Sequence, residues 1–296
     1  MRRAADDPAA GAEAPPPGAV PPGRTERPHR PGPDWPFHAA FIGLGSVYVL
    51  LVVALLAADV LSTSPRHLLE ALAKPEIRFA VRLTLVTCTI AALLSIVVAM
   101  PLAYLLSRHE LPGRRAVEAV LDIPVVLPPL VLGLSLLILF HLPVAGTTLE
   151  SLAQRHLRMR VAYTPVAVVI AQFAVACAFA VHSLQLTFDR IDPRAEQVAR
   201  TLGCRRDQAF CRVVLPQAWR GVVAAFTIAW ARSLGEFGPI LVFAGATRMR
   251  TEVLSTTVFL ELSVGQLEAA VAVSLIMIAA AIVVLAIVRL LGGKVA

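Results

Sequence analysis

The sequence predicts an all-helical protein that crosses a membrane six times. Hydrophobic residues make up 57% of the 296 residues, and the mean hydropathy is +0.73, which is too apolar for an ordinary soluble domain. Apolar runs long enough to cross a hydrocarbon core of about 30 Å recur six times. The net charge of +7 comes from arginines that lie beside these runs. It therefore favours a membrane surface, with its lipids, over nucleic acid as the partner.

The first 36 residues differ in composition from everything that follows. They are rich in Pro, Ala, Gly and charged residues, and such a segment cannot bury a core, so we expect a disordered tail. No apolar stretch follows closely behind its N-terminal charge, as a signal peptide would require.

The six apolar runs organise the rest of the chain. The first stands alone, and the other five form a predicted core over residues 79–291. A mixed polar and apolar loop over 245–267 has the composition of a short helix at the outer mouth. The runs cover approximately residues 38–60, 79–106, 119–141, 161–188, 219–244 and 268–291.

The arginines and lysines predict the orientation of these spans. If the tail, the second and fourth loops and the C-terminus share one side, that side carries 17 basic residues and the opposite side carries 8, with Arg82 and Arg232 inside spans. Cytoplasmic loops carry the excess of basic residues. Both termini and the fourth loop, residues 189–218, are therefore predicted to be cytoplasmic.

The fourth loop predicts two short amphipathic helices. Asp192 can cap the first, and Pro193 occupies its first position, where a missing N–H costs nothing. Gly203 permits the left-handed conformation that often ends a helix, and Pro216 is expected to end the second helix. Apolar positions at helical spacing are Ala195, Val198, Ala199 and Leu202 in the first helix and Phe210, Val213 and Val214 in the second.

A helix pair that is apolar on one side and basic on the other suits a groove on another protein. The alternative is a basic interfacial loop that only anchors the spans.

The third span is expected to be broken. Pro124, Pro128 and Pro129 remove three backbone donors within residues 123–133. A broken helix is tolerated at membrane depth only against protein or a water-filled cavity. We interpret this stretch as a segment that lines or gates a pathway; the alternative is a proline kink in a packed bundle.

Two charges, Arg232 and Glu236, fall in the middle of the fifth span, one helical turn apart. Charges inside a membrane are costly and usually functional. The spacing also allows a purely structural ion pair. The functional hypothesis places Glu236, with the flanking Gly235 and Gly238, in a gate or subunit contact. The predicted pathway residues are Pro128, Pro129, Ser233, Gly235 and Glu236.

Several motifs that would indicate an enzyme are missing from the sequence. It has no GxxxxGK[ST] phosphate loop, HExxH or GxSxG motif. The four cysteines show no CxxC spacing, and we interpret them as reduced thiols, neither disulfides nor metal ligands. No cofactor or metal site is predicted. A helical carrier whose energy comes from another protein fits better than a membrane enzyme. The cysteines are Cys88, Cys177, Cys204 and Cys211.

The central loop and its flanking spans resemble the permease subunits of ABC importers. Those proteins carry a cytoplasmic motif in which the tripeptide EAA is followed by three residues, a glycine, nine further residues and the sequence I-x-LP. The same spacing occurs here, with Gln in place of Glu at the first position and Glu196 one residue earlier. The segments ARTLG, ARSLGEFG and DIPVVLPPLVLG are similar to the molybdate branch of this family. The aligned positions are Gln197, Val198, Ala199, Gly203, Val213, Leu215 and Pro216.

This resemblance implies a type I importer permease in a bacterial or archaeal inner membrane. Two permease chains, expected to be a homodimer, would form the path, and two cytoplasmic ATP-binding subunits would drive it. An extracytoplasmic binding protein would deliver a tetrahedral oxyanion, with molybdate preferred and sulfate, thiosulfate or tungstate as alternatives. The implied coupling residues are Glu196 and the seven aligned positions.

The alternative from a different class is a stand-alone secondary carrier or channel. Such a protein would need no ATPase, and it should show midplane ion-binding groups in repeated halves. The sequence shows no internal repeat and only one charged pair in the middle of a span.

Overall fold

The computed structural model describes residues 35–109, 112–143 and 146–293, and every regular element within these ranges is helical. This confirms the predicted all-α class. In this part of the chain, five helices are long and apolar enough to cross a membrane, and a bent helix pair makes a sixth if both halves form one span. The predicted N-terminal tail lies outside the described residues, except for its last two residues, where the first helix begins.

The described ranges contain five long helices and eight shorter ones. The long helices are α1 (Trp35–Leu61), α3 (Pro75–Arg108), α7 (Pro165–Asp189), α10 (Leu215–Leu234) and α13 (Leu267–Gly293). The shorter ones are α2 (Pro65–Ala73), α4 (Arg114–Val126), α5 (Pro129–His141), α6 (Leu149–Leu157), α8 (Pro193–Thr201), α9 (Arg206–Ala209), α11 (Gly238–Phe243) and α12 (Leu254–Ser263).

Local sequence signals set many of these boundaries. Apart from α1, a proline lies in the first turn of seven of the described helices, where its missing N–H and fixed φ cost nothing. Side-chain caps begin three helices: Ser64 begins α2, Thr148 begins α6 and Asp192 begins α8. The seven helices with an N-terminal proline are α2, α3, α5, α7, α8, α10 and α11.

Contacts divide the chain into residues 1–54 and 55–296. In the first unit, the described part of α1 is apolar on all sides, and its large side chains are exposed. A helix apolar all round is typical of a membrane span.

In the second unit, α3, α7 and α10 pack into the main core. Alanines line this interface, and small residues allow membrane helices to approach closely. The largest buried side chains of this cluster are Trp230 and Phe188. The Trp230 indole N–H donates to the Thr89 hydroxyl at 3.3 Å. The buried alanines include Ala92, Ala99 and Ala103 on α3, Ala176 and Ala180 on α7, and Ala218, Ala225 and Ala229 on α10.

The prediction that Pro216 ends the second loop helix is wrong. α9, a π-helical turn (Phe210–Val214) and α10 run continuously from Arg206 to Leu234. The π turn shifts the hydrogen-bond register, so the Leu215 N–H donates to the Phe210 carbonyl. Pro216 then falls in the first turn of α10, where a proline is compatible with the helix.

The loop helix expected over 245–267 is present as α12, but it is more buried than a helix lying on the outer mouth. The Leu254 N–H donates to the Thr84 hydroxyl of α3 at 2.9 Å. Thr256, Thr257 and Glu261 are also buried. This helix therefore forms part of the packed unit.

Candidate functional site

The helix α8 has the start and stop that its sequence predicts. The Asp192 carboxylate accepts the Arg194 N–H at 2.9 Å. At the other end, Gly203 has φ +93. The Cys204 N–H donates to the Ala199 carbonyl and the Gly203 N–H to the Arg200 carbonyl, both at 3.1 Å. These two bonds form a Schellman motif.

Gly203 is required for its conformation rather than for space. A Cβ added there would meet nothing within 4 Å, whereas the left-handed backbone strains any β-branched side chain.

One face of α8 presents apolar side chains outward. Val198 is 57% and Leu202 is 81% exposed, and Gln197 beside them is also exposed. Ala199 points the other way and is buried. The predicted apolar face is therefore divided: Ala199 packs against the rest of the chain, and Val198 and Leu202 form an exposed surface. Exposed apolar residues on a polar loop are typical of a docking surface.

Glu196 faces its own chain. The Tyr104 hydroxyl of α3 donates to Glu196 Oε1 at 2.6 Å, and Arg108 Nε lies 4.0 Å from Glu196 Oε2. Arg108 also donates to the Ile191 carbonyl at 2.8 Å. The Ser107 hydroxyl, next to Arg108 in the chain, donates to the Asp189 carboxylate at 2.5 Å. The C-terminal end of α3 therefore holds both sides of the α7–α8 corner.

An aromatic cluster fills the space beneath this corner. The Tyr104 ring meets the Phe188 and Phe210 rings edge-on, with centroids 5.8 Å and 4.9 Å away. Phe210 belongs to the π turn that leads into α10. Movement of α8 would thus reach both α3 and α10 through direct side-chain contacts.

The remaining coupling positions lie in and after the π turn. Val213 and Leu215 are half-buried, and Pro216 is exposed. Val214 between them is buried in the main core. The sequence motif therefore spans an exposed docking helix and the start of a membrane helix.

The third and fifth predicted spans are both broken. The helices α4 and α5 meet at an angle of 113°, and the bend falls at Leu127 and Pro128. Pro124 lies inside α4 and does not end it. The fifth span is interrupted over residues 235–237, between α10 and α11. Proline chemistry explains the first break, since Pro128 and Pro129 supply no backbone N–H.

The two breaks pack against each other through glycine–proline contacts. A Cβ on Gly238 would lie 2.7 Å from Pro129 Cβ. A Cβ on Gly133 would lie 2.8 Å from Pro239 Cα. Such distances leave no room for a side chain, so these glycines permit close backbone approach. The structure thus brings together two segments that the sequence marked separately.

Side chains from other helices satisfy the backbone at the α10 break. The Gln172 amide of α7 donates to the Ser233 carbonyl at 3.2 Å. The Ser255 hydroxyl of α12 donates to the Glu236 carbonyl at 2.7 Å. Non-helical backbone at membrane depth requires such partners. Gln172 was not predicted as a functional residue, although an amide with apolar neighbours on both sides was the available signal.

The charges beside this break form an ion pair. Arg232 Nη1 lies 2.7 Å from Glu236 Oε1; the Arg232 side chain is 34% exposed and the Glu236 side chain 1%. The Arg232 guanidinium also lies 5.6 Å from the centroid of the Phe179 ring, within range of a cation–π interaction. The pair predicted from spacing is therefore present, with one buried and one partly solvated member.

The predicted pathway residues lie around the two breaks. Ser233 and Glu236 are buried, whereas Pro128, Pro129 and Gly235 are exposed in the single chain.

A further buried polar cluster lies outside the candidate spans, and it was not predicted from the sequence. The Glu252 side chain at its centre is fully buried. Burial raises the pKa of Glu252 above its ordinary range, although the Thr257 hydroxyl and the Arg248 guanidinium act in the opposite direction. Arg248 itself pairs with the buried Glu261 at 2.9 Å. The Arg248–Glu261 ion pair joins the connection between α11 and α12 to α12 itself.

Comparison with known proteins identifies a family and several related permeases. Residues 91–296 match the family described as the binding-protein-dependent transport system inner membrane component. The sulfate transport system permease protein CysT of Escherichia coli (strain K12) is 32% identical over 248 residues, covering 82% of this chain and 88% of CysT. The molybdenum transport system permease protein ModB of Mycobacterium tuberculosis is 34% identical over 257 residues, covering 86% and 93%.

A third relative is the molybdate/tungstate transport system permease protein WtpB of Thermococcus kodakarensis. It is 31% identical over 206 residues, covering 69% of this chain and 76% of WtpB. Among solved structures, a bacterial alginate ABC transporter in complex with an alginate pentasaccharide-bound periplasmic protein matches with a TM-score of 0.69 and 17% identity, over 88% of this chain and 95% of that chain. At this identity the match supports the fold alone.

Substitution of either charge in the Arg232–Glu236 pair tests the pairing. We expect Arg232→Gln to lower the free energy of unfolding by about 3–5 kcal/mol, because it leaves a buried carboxylate without its cation. Glu236→Gln should cost about 1 kcal/mol or less, because the remaining guanidinium is partly solvated. Thermal unfolding of both variants in detergent micelles measures the difference.

The double variant R232Q/E236Q is the control for this pair. Since it removes both charges, it should recover most of the stability that R232Q loses. Equal losses in the two single variants would contradict a pair with one buried and one solvated member.

Proposed function

Because the chain belongs to the family of binding-protein-dependent transport system inner membrane components, we propose that it translocates a tetrahedral oxyanion, molybdate, into the cytoplasm. The permease itself is not catalytic, and ATP is hydrolysed by a separate subunit of the transporter. The observation that carries the coupling part of this proposal is the exposed face of α8, ended by Gly203 at the spacing of the permease motif.

The choice of substrate rests on sequence segments and on the relatives together. The relatives are named for sulfate, molybdenum, and molybdate or tungstate transport, and sulfate, molybdate and tungstate are all tetrahedral dianions. Their identities to this chain differ by only a few per cent, so identity does not rank the substrates. The segments ARTLG, ARSLGEFG and DIPVVLPPLVLG favour molybdate. Sulfate, thiosulfate and tungstate are the alternatives within the class.

Two cytoplasmic ATP-binding subunits hold the exposed face of α8 in this proposal. Val198 and Leu202 supply apolar contact area, and Gln197 supplies a polar group beside them. Glu196 has a different role from its neighbours, because its carboxylate is bound to Tyr104 of α3. It transmits the movement of the docked helix to a membrane span.

The broken helices act as the gate of the pathway. Closure of the ATP-binding subunits moves α8, and the contacts of α8 move α3 and the start of α10. A second permease chain, in a homodimer, covers the exposed Pro128, Pro129 and Gly235, and an extracytoplasmic binding protein delivers the anion. The spans then rock between inward-open and outward-open states. A path that bound a dianion tightly would not release it, so selectivity lies mainly in the binding protein.

Labelling of Cys211 tests the proposed orientation. This thiol is free and exposed, and the fourth loop is placed in the cytoplasm. A membrane-impermeant maleimide should label it in inverted vesicles and leave it unlabelled in intact cells, with Cys211→Ser as the blank. Labelling from the outside of intact cells would reverse the topology.

Substitution of Gly203 tests the docking role of α8. Gly203→Val forces a β-branched side chain into the left-handed region, at a cost of roughly 1–2 kcal/mol. We expect molybdate uptake per ATP hydrolysed to fall by roughly fivefold to thirtyfold, the factor that this energy represents. The measurement is made in proteoliposomes that contain the complete transporter.

Gly113→Val provides the matched control. Gly113 has φ +82 and no neighbour within 4 Å of an added Cβ, so the strain is similar but lies outside the coupling loop. This variant should keep the wild-type ratio of uptake to hydrolysis. A normal ratio in Gly203→Val would count against docking through α8.

Uptake by the reconstituted transporter tests the function and the substrate. We expect radioactive molybdate to accumulate only when ATP, the ATP-binding subunit and the binding protein are all present. An excess of unlabelled sulfate should compete less well than unlabelled tungstate. Accumulation without ATP would support a secondary carrier or channel, and stronger competition by sulfate would reassign the substrate.

A further inference from the structure

A groove of about 570 Å³ lies between α10 and α13, near the ends of these helices that are assigned to the cytoplasm. Its lining combines a basic part and an apolar part. The arginines lie at the helix ends, and the rest of the lining is almost entirely apolar. The lining residues that carry the argument are Arg220, Val223, Thr227, Ile228, Val288 and Arg289.

The two arginines in this groove have no acidic partner. Arg220 and Arg289 are both exposed, and neither forms an ion pair with any residue in the described part of the chain. No Asp or Glu lines the groove. The groove therefore presents two positive charges that are available to an anionic ligand.

Along α10, apolar lining residues of the groove continue from Arg220 into the span. Positions 220, 223, 224, 227 and 228 fall on one face of the helix. Arg220 comes first, and the apolar stripe extends about 12 Å further into the span. Val288 faces the same space from α13. A basic end followed by an apolar groove complements an anionic amphiphile, which has a negative headgroup and an apolar chain.

From this arrangement we propose that the groove binds an anionic phospholipid. The lipid phosphate lies between Arg220 and Arg289, at the depth where headgroups meet the ends of spans. One acyl chain lies along Val223, Ile228 and Val288. The proposal depends on membrane residence alone and is independent of which solute is transported.

A second copy of the chain is the competing occupant, and charge disfavours it. A two-fold interface brings the same patch of both subunits together. Contact through this groove would place four arginines side by side with no carboxylate from the groove to offset them. An anionic headgroup instead neutralises the pair.

Native mass spectrometry of the purified protein, titrated with phosphatidylglycerol or phosphatidylcholine, tests the site. The wild type should bind phosphatidylglycerol more tightly than phosphatidylcholine. In the variant R220Q/R289Q, binding of phosphatidylglycerol should be roughly 30-fold weaker, because each arginine near the surface contributes roughly a fivefold step. The variant R220K/R289K keeps the charge and should retain most of the preference.

A second pair of exposed arginines, in R115Q/R190Q, is the control for loss of charge alone. Arg115 and Arg190 lie outside the groove, so this variant should bind as the wild type does. Equal binding of the two lipids by the wild type would overturn the proposal, as would equal losses in R115Q/R190Q and R220Q/R289Q. A shift from dimer to monomer in R220Q/R289Q with unchanged lipid binding would reassign the groove to the subunit interface.

Discussion

Backbone N–H and C=O groups within a membrane must find hydrogen-bond partners inside the protein. The structure around the two broken helices depends on this requirement. One helix is broken at Pro128 and the other over residues 235–237. Each break frees backbone groups that lipid cannot satisfy. Gln172 and Ser255 supply hydrogen bonds to the second break. The second break is held by α7 and α12 through these bonds, and the glycine–proline contacts pack the two breaks against each other.

This central arrangement is linked to the polar loop by a chain of direct contacts. The corner between α7 and α8 is held by Ser107, Arg108 and Tyr104 at the end of α3. The same α3 packs against α7 and α10 through alanines, and α10 leads directly to the second break. A rigid, closely packed path of this kind can carry a small displacement over the length of a span without local unfolding.

The surfaces of the second unit fall into three chemical types, each suited to a different neighbour. The outer face of α8 is apolar on a polar loop and suits a soluble protein subunit. The exposed prolines and Gly235 at the breaks carry no charge, and the proposed function assigns them to a second permease chain. The groove between α10 and α13 is apolar with a basic end and suits an anionic lipid. These neighbours differ because the distribution of charge differs, although all three surfaces expose apolar atoms.

The helical class, the number of apolar runs, the cap at Asp192 and the stop at Gly203 could all be predicted from the amino-acid sequence. These features depend on hydrophobicity and on backbone preferences of single residues, which act over a few positions. Three-dimensional packing was needed to show that Glu196 faces Tyr104, that Gln172 supports the α10 break and that Pro216 continues a helix. It also brought Gly238 to Pro129 and buried Glu252. Each of these depends on packing or hydrogen-bond register beyond the local pattern, and periodicity along one helix carries no information about which neighbour it meets.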